Sequence, residues 1–167
     1  MSSENERADL PLVVGIGTEA RRDDGCGLAV VRALRAPLAG RADLLELSGD
    51  PIDLLDRWAG RSLVVAVDAV RSGRPAGAVV RQEVADRTLL VGEGTTSTHG
   101  LSLAEALALG RSLGRMPDRL VVYGIEAADL GSGVGFSPAV ATAVDDVVVR
   151  IEAEIPRPDP RTGASHA

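Results

Sequence analysis

Side chains from three separate stretches carry the chemistry this sequence offers. Asp23 and Asp24 stand together in "GIGTEARRDDGCG" (15–27), where a β-branched run turns into a helical pattern. An aspartate in a first helical turn complements the helix dipole, and Asp23 suits an N-cap. Capping needs only one carboxylate, so its neighbour requires a cationic partner, Arg21 or Arg22, or a metal. Asp68 interrupts the apolar run "LVVAVDAV" (63–70), where an ionised group is costly unless it is paired or faces a cleft. His99 lies in the small polar loop "GTTSTHGLSL", and the only other histidine is His166, next to the last residue. A lone loop histidine is by itself an ordinary solvated residue. Two carboxylates and one imidazole gathered at one edge would suit a borderline divalent ion such as nickel and leave further coordination positions open.

Other chemistries find little support. Cys26 sits in the first turn of the expected helix, where a thiol can be activated and paired with His99. Two adjacent aspartates oppose its ionisation, and its place between Gly25 and Gly27 suits a small packing residue. All 18 basic residues are arginine, which excludes a P-loop lysine and Schiff-base catalysis. The Gly15-x-Gly17 pair lacks the third glycine of a dinucleotide site. Ser132 is not in a Gly-x-Ser-x-Gly elbow, and no His-Glu-x-x-His or paired cysteines build a zinc site. A net charge of −6 and 2% aromatic residues argue against a nucleic-acid partner.

The elements that must position these groups alternate. Strands are expected at 11–17, 42–47, 62–70 and 118–127, with an alternating, antiparallel edge strand at 77–84. Helices are expected at 24–35, from Pro51 through Trp58, at 101–113 and at 138–155. The expected fold is α/β, a three-layer sandwich. It has a mostly parallel twisted sheet of about five strands, one edge strand antiparallel, and helices on both faces. Ligands of such sheets bind beyond the carboxyl ends of the strands, where 18–24, Asp68 and 95–100 fall. Residues 1–10 and the proline-rich 156–167 read as flexible tails around one domain at 11–155. Without a signal-type opening, a long apolar span or a second cysteine, the expectation is a cytoplasmic protein with no membrane association.

The stretches "VGIGTEARRDDGCG", "VVAVDAV", "STHGLSL" and "VVYGIEAADLGSGVGFSPAVATAVDDVV", in this order over about residues 11–155, resemble the motifs of the hydrogenase maturation proteases. That resemblance implies an endopeptidase that removes the C-terminal extension of a [NiFe]-hydrogenase large-subunit precursor, its protein partner. It implies that nickel arrives with the substrate and that no organic cofactor is needed. The family's metal-contacting residues fall on Asp24, Asp68 and His99, which are thereby the catalytic and metal-binding candidates. Two positions depart from the family pattern and concern substrate docking. Thr18 stands where asparagine is usual, its hydroxyl a possible substitute, and Glu46 in "ELSGDP" stands for an aspartate. The competing readings are a non-catalytic α/β binding module, an inactive family member, and a Cys–His hydrolase.

Overall fold

The computed structural model describes residues 10–48, 50–84, 96–97 and 102–157, with the backbone alone at 96, 97 and 102. The element order is β1 (Leu12–Ile16), a 3-10 turn (Arg22–Gly25), α1 (Cys26–Leu34), β2 (Asp43–Leu47), α2 (Pro51–Trp58), β3 (Leu63–Arg71), β4 (Val79–Glu83), β5 (Thr96–Ser97), α3 (Ser102–Leu113), β6 (Arg119–Glu126) and α4 (Pro138–Glu154). The sheet runs β2-β1-β3-β6-β4. Its first four strands are parallel, and β4 closes the edge antiparallel to β6. The expected α/β sandwich with one antiparallel edge strand is therefore what the chain forms. The two-residue β5, which pairs antiparallel with Val70 and Arg71 at the end of β3, had no sequence signal.

Alternation along the strands divides the core in two. Val13, Val65, Val67 and Tyr123 pack with Val30, Val31 and Leu34 of α1 and Val140, Val147 and Ile151 of α4. Leu12, Val14, Val64, Ala66 and Leu120 pack on the other face with Leu54 and Trp58 of α2 and Leu107 of α3. Both faces of β1 and β3 are covered, which is why these strands read as unbroken apolar runs. Pro51 opens α2 behind Asp50, whose carboxylate accepts from the N–H groups of Ile52 (2.9 Å) and Asp53 (3.4 Å). No helix among the described residues is long and apolar enough to cross a membrane.

The strand order places β2 and β3 on opposite sides of β1. The chain thus reverses its winding between β1 and β3, and a crevice opens at their carboxyl ends. Helix α1 begins directly over this point because glycine permits it. A Cβ at Gly27 would lie 2.5 Å from the Val67 carbonyl oxygen and 2.7 Å from that of Ile16. One at Gly15 would lie 2.1 Å from the Gly27 carbonyl oxygen. With no side chain between them, the first turn of α1 rests on the backbones of both strands.

Candidate active site

Asp24 belongs to the 3-10 turn that joins β1 to α1, and it is fully buried. Its Oδ2 accepts a hydrogen bond from the Thr18 main-chain N–H at 3.1 Å. That contact depends on the loop path and not on the side chain at position 18, which explains how threonine can stand there. Asp68 lies on β3 opposite Gly124 of β6, and it too is buried. It shares the parity of Val64 and Ala66 and so faces the α2–α3 side of the sheet. The two carboxylates come from either side of the winding reversal.

Cys26 reports their common field. Its thiol is buried within the α1–α4 core. Burial pushes its ionisation far upward, and the charges of Asp68, Asp23 and Asp24 push it further in the same direction. A thiol so placed stays protonated and is no nucleophile. The small-packing-residue reading of Cys26 is the one the environment supports.

Asp23 does something else than cap. The position before α1 is Gly25, and no side chain caps the helix. The Asp23 carboxylate instead reaches across to the loop between β6 and α4. It accepts from the N–H groups of Ala128 (2.9 Å), Asp129 (2.8 Å) and Ser137 (2.8 Å), and from the Ser137 hydroxyl (3.0 Å). Burial pushes this carboxyl upward, but the hydrogen bonds from Asp129, Ser137 and Ala128 outweigh it and hold the group below its ordinary value. Arg22 turns to Asp129 (3.3 Å), and it holds φ at 50°, the one positive φ outside glycine among the described residues. Main-chain bonds from Arg22 to Gly133, from Gly133 to Ala20 and from Asp23 to Asp129 complete the lacing of the two loops. The capping expectation failed because backbone N–H groups distant in sequence outcompete local ones for a buried anion.

The sequence pattern of the hydrogenase maturation protease family (HycI) matches residues 28–154. The chain is 32% identical over 121 residues to the hydrogenase expression/formation protein HupD of Thiocapsa roseopersicina, covering 71% of this chain and 55% of that one. It is 25% identical over 146 residues to the hydrogenase 2 maturation protease of Escherichia coli K12, covering 86% and 89%. The chain belongs to the hydrogenase maturation protease family. It is thus a member of a peptidase family, though it spans only about half the length of the HupD relative. Among solved structures, the [NiFe] hydrogenase maturation protease HybD from Thermococcus kodakarensis superposes with a TM-score of 0.68 at 24% identity, covering 88% of this chain and 99% of that one.

Within this family member, the remaining candidates separate. The matched pattern begins after Asp24 and includes Asp68. His99 lies outside the described residues. Among the described residues no group of three or more His, Cys, Asp or Glu side chains is arranged to hold a metal ion. Glu46 is not joined to the aspartates. It projects from β2 toward α1, where it pairs with Arg32 (2.9 Å) and Arg35 (2.6 Å), and Arg32 also pairs with Glu19 (3.0 Å). An exposed network of this kind contributes about 0–1 kcal/mol per pair. Sequence reasoning missed the lacing role of Asp23. It also missed Glu126, a buried carboxylate at the end of β6 that holds the turn after β3 through Ser72 N–H (2.9 Å), Ser72 Oγ (2.7 Å) and Gly73 N–H (3.1 Å). The one available signal for Glu126 was an acid at the end of an apolar strand.

Proposed function

We propose that this protein is an endopeptidase that removes the C-terminal extension of a [NiFe]-hydrogenase large-subunit precursor, recognising the nickel that the precursor already carries. Asp24, Asp68 and His99 are the proposed ligands to that substrate-borne ion, and the cytoplasm is the proposed compartment. The observation that carries the reading is the burial of Asp24, in the turn after β1, and of Asp68, late in β3, on either side of the winding reversal. Carboxylate oxygens from the two sides of this crevice suit a shared divalent cation, and a nickel-loaded substrate would bring one. The described flanks of position 99 support the third assignment: β5 pairs with the end of β3, and α3, from Ser102, packs on the face that Asp68 shares.

In this reading the protein supplies oxygen and nitrogen donors fixed by a rigid strand and a short turn. A precursor without metal brings the aspartates no cation, so it binds less well. Each 1.4 kcal/mol of that difference is about a tenfold preference for the loaded form. The ion supplies polarisation of the scissile carbonyl or activation of a water. Cys26 takes no part, since it remains a buried thiol.

The test is incubation of precursor, with and without nickel, followed by intact-mass measurement. Only the loaded precursor should lose its extension. Asp24→Asn, Asp68→Asn and His99→Ala should each slow the cut by about a hundredfold or more, the loss expected for a group in direct contact with the reacting centre, with unchanged circular dichroism. Full processing by Asp68→Asn would remove the ligand assignment.

A further inference from the structure

The β6–α4 loop is laced to the β1–α1 loop, yet it holds apolar side chains out in water. Val134 is 77% exposed and Phe136 is 36% exposed. This is not the looseness of a free loop. The buried Asp23 carboxylate, the Arg22–Asp129 pair and the main-chain bonds at Gly133 fix the segment on both sides of these residues. Together with Gly25 and Ala29 they line a cleft of about 290 Å³, with Glu19 and Arg32 at its rim. Gly25 directly follows Asp24, so the floor of the cleft begins where the proposed ligand set ends. Gly135 is exposed, with nothing within 4 Å of where a Cβ would stand. The rim is charge-balanced, because Arg32 and Arg35 are paired with Glu19 and Glu46. Such a cleft selects neither anion nor cation. Its volume is at the low end of ligand pockets, about 300–1,000 Å³, which suits a side chain or two of an extended segment.

We infer that this cleft is the docking groove for an apolar stretch of the precursor polypeptide flanking the scissile bond. The inference rests on the processing function proposed above and adds how the peptide is held. Val134 and Phe136 are then specificity-determining residues.

The test is steady-state processing of nickel-loaded precursor by the wild type, Val134→Asp and Phe136→Asp, with the milder Val134→Ser and Phe136→Ser. Both sites are on the surface, and unfolding midpoints check that each variant folds. KM should rise about tenfold for the aspartate variants, the loss of one buried apolar side chain, while kcat falls far less. Val134→Cys gives a second readout. Cys26 is buried, so a benzophenone maleimide labels position 134 selectively, and irradiation should cross-link it to precursor peptides next to the cut. Unchanged KM in a wild type and variants that all process the precursor overturns the groove alone. Cross-links to a second copy of this chain, or to distant precursor peptides, also overturn it. A wild type that leaves the loaded precursor uncut overturns the function and the groove together.

Discussion

Replacing Asp23 should damage this protein more than any other surface-loop change, even though the residue is no proposed ligand. Three main-chain N–H groups and one hydroxyl converge on its carboxylate. In Asp23→Ala the three N–H groups of Ala128, Asp129 and Ser137 lose their acceptor inside the protein. A donor left unmade costs about 1–3 kcal/mol where water cannot reach it; Ala128 and Asp129 are exposed residues that water can partly serve, so the total is about 2–4 kcal/mol. That is a large share of a typical stability of about 5–15 kcal/mol. In Asp23→Asn one oxygen becomes an NH2 group. Ser137 N–H binds Oδ1, whereas the other donors bind Oδ2, so either amide orientation sets a donor against a donor. The expected loss is about 2–4 kcal/mol. The assay is urea unfolding followed through Trp58, the only tryptophan and a buried one. pH supplies a signature. The folded Asp23 carboxyl is held below its ordinary value. Between the folded and the unfolded pKa, near 3.9, the unfolded chain binds the extra proton. Stability from this group is therefore complete above about pH 4 and is lost as pH falls through the folded pKa. The gap between wild type and Asp23→Asn should narrow over that acid range and stay constant above it. A loss under about 1 kcal/mol in Asp23→Ala, or a gap that widens in acid, would refute the lacing argument.

Cys26→Ala should keep processing activity and cost about 1 kcal/mol for the small cavity it leaves, and native protein should resist iodoacetamide until denatured, read by mass. Gly27→Ala should destabilise by about 3 kcal/mol or more, because its Cβ meets the carbonyl oxygens of Val67 and Ile16, which are backbone and cannot swing aside; a normal urea midpoint would contradict that packing. Tyr123 is the single tyrosine. Burial first, and then its hydrogen bond to Glu154, push its hydroxyl up to about 12. Absorbance titration at the phenolate band should show it protonated past pH 11 in native protein, about one unit beyond the ordinary value near 10, and Glu154→Gln should lower the midpoint only in part.

The sequence by itself determined the order and kind of nearly every element. Apolar runs of β-branched residues between glycines and prolines mark β1, β3 and β6. Pro51 behind Asp50 marks the start of α2, and the alternating 77–84 stretch marks the edge strand, because these are local signals that neighbours in the chain decide. The sequence also singled out Asp24 and Asp68, since a charge within or beside an apolar run stands out in the bare string of residues. The start of α1 was less legible: the helix expected from residue 24 begins at Cys26, after a 3-10 turn. Only the tertiary structure decided the strand order that sets β1 and β3 side by side, and with it the burial of both aspartates. It alone sent Asp23 to Ala128, Asp129 and Ser137 instead of to a helix cap, and Glu46 to Arg32 and Arg35. The reason is range. Periodicity and capping act over a few residues, whereas an anion buried by folding takes whichever donors the packed backbone delivers, and those lie more than a hundred positions away from Asp23.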